Sequence, residues 1–372
     1  MRNVPLAKPR PDFDEMIRVF KGEKNPEKVY LLEGGVDGKV MKEISERYMN
    51  KKWIPFKPVD CYMGWELGSG VTWQQIQKEI IEFNYWMGYD CINVWPRWLN
   101  LPPIKRRATE DTALDTGDER HWVEEGHGII RSWKDFEKIE WNKITHSLEL
   151  IEFTQENLPE GMKMVTATIM FEMVIERFLG FEDLCLLLHD EPKLVEAVFN
   201  EWGQIVYNYY KETVRYPKIG ALWHFDDLGH KTATHLPPAF LRKVVFPWFK
   251  KYVELAHDNG MTFWFHSCGN LFEVMDDLIE DLHIDAFHSF QDEIMPVGEF
   301  VRKYGHKIAT LGGVDVDKIA RLEDDVLRKY IRGILRECMP GRFALGSGNS
   351  IANYVPTDKY LIMVEEARNW RG

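Results

Sequence analysis

No run of apolar residues in this chain approaches the roughly 20 that a membrane helix requires, and the start, MRNVPLAKPRPDFDEM, holds no apolar stretch of the kind that opens a secreted protein. Basic charge is short too. The chain has 47 Lys and Arg against 59 Asp and Glu, a formal net charge of −12, with no concentrated basic face. That balance argues against a phosphate-backbone partner and keeps the chain off anionic membranes, so neither nucleic acid nor membrane is expected. Cysteine is sparse: Cys61, Cys91, Cys185, Cys268 and Cys338 are scattered and odd in number, which suits reduced thiols in a cytoplasmic protein better than a disulfide framework. Repeats shorter than a strand-plus-helix unit, low-complexity tracts and convincing linkers are all missing. What the chain has in quantity is apolar material, 45% of residues with 14 Trp and 21 Phe, enough for a packed core with aromatics left to line a pocket.

The apolar residues follow a strand–helix rhythm. Short apolar runs predict strands at Lys28–Glu33, Cys91–Trp95, Met164–Ile169, Ile219–Phe225, Met261–His266, Ile284–His288, Lys307–Leu311 and Arg342–Leu345. Helical spacing predicts helices at Phe13–Lys21, from the N-cap Thr72 to Met87, and at Asp135–Thr154, Pro192–Val214, Pro238–Asp258, Leu271–Asp281 and Leu322–Arg336, with a last one from Thr357. Eight such units favour a closed α/β barrel, the (β/α)8 TIM barrel, over an open sheet, and place function at the strand C-terminal ends. All 372 residues then form one domain, with residues 1–25 as a helical extension and 34–71 and 96–133 as loop insertions. Each insertion is either a lid or partner surface or a solvated excursion with no role.

The strongest local signal is Phe265-His266-Ser267-Cys268-Gly269-Asn270, where a buried strand runs out. Residues two apart on an extended segment point to the same side, so His266 and Cys268 can converge on a metal; two ligands alone do not make a site, and an incidental turn explains them equally well. His224-Phe225-Asp226-Asp227 ends the preceding strand, and one of the two aspartates faces the mouth, to ligate metal, orient a ligand, act as a base or cap a loop. Glu172 and Glu176 share a helical face, with Glu172 nearer the mouth; Glu33 also ends a strand. His288 and Gln291 can hydrogen-bond a ligand, and His288 also suits a satisfied core position. Gly312-Gly313 and Gly346-Ser347-Gly348 let backbone approach a ligand closely or simply turn the chain.

Taken in order, Phe13–Val29, Phe171–Pro192, Pro237–Gly260, HSCGN, LGGVDV and Gly348–Pro356 resemble the uroporphyrinogen decarboxylase superfamily over essentially the whole chain. The resemblance implies a barrel with its pocket at the strand C-terminal ends and one of two chemistries. The decarboxylases carry an arginine-rich segment near the start of the barrel, where this chain has Glu33-Gly34-Gly35-Val36-Asp37 and no arginine. The corrinoid-dependent methyltransferases use an H-x-C-G element as zinc ligands, and His266 and Cys268 match it. Thiol-methylating members have a second cysteine after the last strand, where Asn349 stands here; a less anionic ligand set leaves zinc the stronger Lewis acid, suited to an ether oxygen. Asp226 to His230 (DDLGH) with HSCGN looks more like the O-demethylase branch, whose substrates are often aromatic methyl ethers.

The function this implies is methyl transfer between a small methoxy substrate and a Co(I) corrinoid. Zinc is held by His266 and Cys268, and cobalamin comes on a partner corrinoid protein, because the chain lacks a D-x-H-x-x-G motif. Asp227, as third ligand or acid/base group, and Glu172 are the expected catalytic residues. Asp226, His224, Gln291, Asn349, Trp95 and Phe171 are the expected substrate contacts, with Trp223 near a strand end as well, and a homodimer is allowed. The rival expectations are a metal-free decarboxylase, for which HSCGN is an inherited turn, and a non-catalytic tetrapyrrole- or corrinoid-binding protein.

Overall fold

A computed structural model of the chain describes residues 4–54, 56–60, 64–67, 70–103, 106–110, 119–123 and 126–371. Eight strands, Tyr30–Leu31 (β1), Cys91–Val94 (β2), Lys163–Thr168 (β3), Ile219–Phe225 (β4), Thr262–His266 (β5), Ala286–His288 (β6), Ala309–Leu311 (β7) and Phe343–Leu345 (β8), coincide with the eight expected apolar runs. All pair in parallel, in the order β1-β8-β7-β6-β5-β4-β3-β2, so each strand lies beside its neighbour in the chain and the sheet curls into a (β/α)8 barrel. Between β1 and β2 there is no ladder. The side chain of Asn93 on β2 spans that seam instead, its Nδ2 donating to the carbonyls of Glu33 at 3.1 Å and Gly34 at 2.9 Å.

The helices that cover the barrel follow from their sequences. Trp73–Met87 starts where Thr72 and Gln75 form a reciprocal capping box and stops at Gly88, whose φ of 82° is left-handed. Pro192–Thr213, Phe246–Asp258, Val297–Tyr304, Asp324–Cys338 and Thr357–Asn369 lay their apolar faces on the sheet. Helix Phe13–Phe20 does something different: Phe13 and Phe20 place their rings 6.3 and 5.7 Å from that of Trp264, a fully buried residue inside the barrel. Asp14 of the same helix pairs with Lys163 at the start of β3, so the helix closes the barrel at its N-terminal end. The opposite, C-terminal end is left as the mouth.

Three expected helices are corrected. Asp135–Thr154 is broken into a short turn at Trp133–Phe136, a strand at Thr145–Ser147 and a helix at Glu149–Asn157. Thr, His and Ser are weak helix formers, and Arg97–Leu99 offers Thr145–Ser147 an antiparallel partner, with Trp98 edge-on to His146 at 5.9 Å. Pro238–Asp258 widens into a π turn at Leu241–Val245 just before Phe246-Pro247, because the proline has no N–H to continue the ladder. Leu271–Asp281 is irregular at its start, turns helical only at Met275 and ends in a π segment, Asp277–Asp281. The insertions carry hairpins, Phe56–Asp60 with Gly64–Leu67 and Arg106–Glu110 with Glu119–Val123; expected Cys61 lies outside the described residues. No described helix is long and apolar enough to cross a membrane.

Candidate metal centre

At the mouth, Phe225, His266 and His288 stand level on β4, β5 and β6, paired in register across the sheet. The ring of Phe225 stacks on His266 at 4.8 Å, and His266 lies 4.8 Å from His288. Because side chains alternate along a strand, His224 and Asp226 face the opposite side from Phe225 and Asp227. His224 and Asp226 are both fully buried and bond each other, Nε2 to Oδ2, at 2.7 Å. The Tyr210 hydroxyl donates to the other ring nitrogen of His224 at 3.1 Å. Asp226 also accepts the backbone N–H groups of Met170 at 3.0 Å and Glu172 at 3.1 Å, so this buried carboxylate is satisfied and ties the end of β3 to the end of β4. Neither residue can reach a substrate, contrary to the expectation for both; they position the chain that carries Glu172 and Asp227.

Asp227, on the other side, is 34% exposed. Its Oδ1 accepts the Cys268 N–H at 2.7 Å and lies 3.4 Å from His266 Nε2, which is 3.7 Å from Cys268 Sγ. One ligand atom from each of the three lies within 4.8 Å of the other two. A tetrahedral zinc ion with bonds of about 2.0–2.3 Å separates a nitrogen–oxygen pair by about 3.4 Å and a nitrogen–sulfur pair by about 3.6 Å, so the donor set fits. Two glycines make the convergence possible. The turns after β4 and β5 lie backbone to backbone, and a Cβ on Gly269, itself at φ +86°, would sit 2.1 Å from the carbonyl carbon of Gly229.

Burial pushes the Cys268 thiol up, and the Asp227 charge adds to it. Burial also raises Asp227, but the hydrogen bond and charge of His266 and the Cys268 N–H outweigh it and bring the carboxyl down to about 2. Glu172 is pushed well above the carboxylate range, first by burial and then by Asp227 and Asp226. No lysine or arginine among the described residues pairs with Glu172, Asp226 or Asp227. A buried thiol and a raised Glu172 carboxyl beside Asp227 form an environment that a divalent cation relieves.

Asn349 reaches the cluster, its Nδ2 donating to Cys268 Sγ at 3.1 Å. Trp95 lies at the rim, its ring 4.9 Å from Phe225. Phe171 does not: it is fully buried against Phe199 at 6.1 Å, a core residue rather than a substrate contact. Trp223 is likewise enclosed, 5.6 Å from Trp264. Gln291 is exposed and lines a small cleft with Gly269, Leu271, Ser289 and Met295, beside Cys268. Two neighbours complete the centre: His288, expected as a ligand contact or a satisfied core residue, and Ser289, not singled out in the sequence, whose hydroxyl donates to Cys268 Sγ at 3.6 Å. Aligning the ends of the fifth and sixth strand runs places His266 beside His288, and that is the signal that reveals them.

The family model for uroporphyrinogen decarboxylase (URO-D) matches residues 126–370, from ahead of β3 to the last helix. The chain belongs to the URO-D family. Among solved structures, this URO-D family chain is similar to a methyltransferase from Methanosarcina mazei, with a TM-score of 0.67 at 12% identity over 96% of this chain and 98% of that one. It is also similar to a protein assigned as a vitamin-B12 independent methionine synthase from Listeria monocytogenes, with a TM-score of 0.51 at 12% identity over 94% and 99%. Likeness at such identity concerns the fold. No curated protein sequence matches the chain.

Proposed function

We propose that this URO-D family chain is a zinc-dependent methyltransferase that moves a methyl group between a methoxy substrate and a Co(I) corrinoid carried by a separate protein. The observation that carries the proposal is the meeting of Asp227, His266 and Cys268 at tetrahedral spacing in the barrel mouth. Asp227 is the third ligand. Zinc held there supplies Lewis acidity toward the substrate's ether oxygen. The residues do the positioning: Asn349 holds the Cys268 sulfur, and Asp226 pins the Met170 and Glu172 backbone so that the Glu172 carboxyl can pass a proton to the departing oxygen. Trp95 and Phe225 form an aromatic wall suited to a methoxyarene. The acidic mouth tells against the decarboxylase alternative, whose polycarboxylate substrate calls for cations.

The test is metal content by mass spectrometry after dialysis against a mild chelator. About one zinc per chain is expected in the wild type and a loss of it in Cys268→Ala and Asp227→Asn; a screen of methoxy compounds with Co(I) corrinoid follows. Absence of zinc from the wild type after reconstitution refutes the metal reading, and zinc with corrinoid binding but no turnover leaves a binding protein.

A further inference from the structure

Resting on that metal reading, we propose that His288 sets the tautomer of His266 and thereby decides which imidazole nitrogen is offered to the metal. The argument starts two contacts away. His288 Nε2 lies 3.2 Å from the backbone carbonyl of Ser347. A carbonyl only accepts, so Nε2 carries the hydrogen. His288 is 1% exposed and neither of its ring nitrogens meets a carboxylate, so it is neutral and its Nδ1 has only a lone pair. That Nδ1 faces Nδ1 of His266 at 2.5 Å. Two lone pairs cannot point at each other, so His266 keeps its hydrogen on Nδ1 and donates it to His288. Nε2 is then the nitrogen left to be freed toward Asp227 and Cys268, at 3.4 and 3.7 Å.

The relay is held from behind. Ser347 cannot turn its carbonyl away, because its N–H and hydroxyl both donate to the buried Glu33 carboxyl, at 3.0 and 2.5 Å. Gly312, at φ +87°, leaves the room the contact needs: a Cβ there would lie 2.7 Å from His288 Cδ2 and 2.4 Å from the Ser347 carbonyl oxygen. His288 touches neither metal nor substrate and is a positioning residue. Outer partners of this kind fix the orientation and tautomer of a ligating histidine, and removing one costs about 10–100-fold in metal affinity.

Two measurements test this. In the metal-free wild type, labelled with 15N-histidine and held near pH 9, long-range proton–nitrogen spectra assigned with His266→Gln should show a protonated Nδ1 on His266. Zinc competition against a chromophoric chelator should give an affinity reduced about 10–100-fold in His288→Leu, with much of it kept in His288→Gln, whose amide can still accept from His266 and donate to Ser347. A bare Nδ1 in the wild-type spectrum, or wild-type affinity in a folded His288→Leu, overturns the proposal. Because the spectrum needs no metal, a wild type that binds no zinc refutes the metal reading while the spectrum still decides the tautomer.

Discussion

Glu33 offers a prediction with a worked size. Its carboxyl ends β1, is buried against Ser347 and is pushed by that burial to about 8, partly offset by the two Ser347 hydrogen bonds. In the unfolded chain the same group titrates at its ordinary value of 4.5. Between those values the folded chain keeps a proton that the unfolded chain has released, so this residue's contribution to stability falls as pH rises from about 4.5 to about 8. A difference of 3.5 pH units (8 minus 4.5) corresponds to at most about 5 kcal/mol. Spread over 372 residues, that is a shift of at most about 6 °C in Tm. Glu33→Gln removes the titration but keeps an acceptor for the Ser347 N–H. The assay is thermal unfolding of both proteins across pH 4.5–9, read as variant minus wild type so that other titrations cancel. The difference should grow in the variant's favour with pH and level off above about 8. A flat difference, or one of opposite slope, refutes the buried-proton argument.

Two further outcomes follow from the barrel's construction. Asn93→Ala leaves the Glu33 and Gly34 carbonyls without their seam donor and should lower stability by about 1–3 kcal/mol in urea unfolding, with faster amide exchange in β1 and β2 than in β4 and β5. Gly269→Ala meets both a left-handed φ and the Gly229 backbone; it should weaken zinc binding at least as much as loss of the Cys268 thiol, in the chelator competition already described.

Much of this architecture is visible in the residues themselves. The eight strands announce themselves as short apolar runs, and Thr72 and Gly88 mark the ends of their helix, because those signals are local. The two-residue alternation that puts His266 and Cys268 on one side also puts Asp227 with Phe225 and Asp226 with His224, so the choice between the aspartates was readable. Other parts were not, for a common reason: they depend on register between strands far apart in the chain. Glu33 and Ser347 meet only because β1 pairs with β8, and His266 and His288 only because β5 and β6 end level. The Thr145–Ser147 strand likewise exists because Arg97–Leu99 is there to pair with it. Phe171 lies near a strand end without access to the mouth, because its ring turns into the core.

The helix Phe13–Phe20 has a consequence for access. With Phe13 and Phe20 packed beneath Trp264, the described residues close the barrel at its N-terminal end. Asp227, His266 and Cys268 are therefore approached from the strand C-terminal side, and an aromatic plug at the far end of the molecule makes the site one-sided among the described residues.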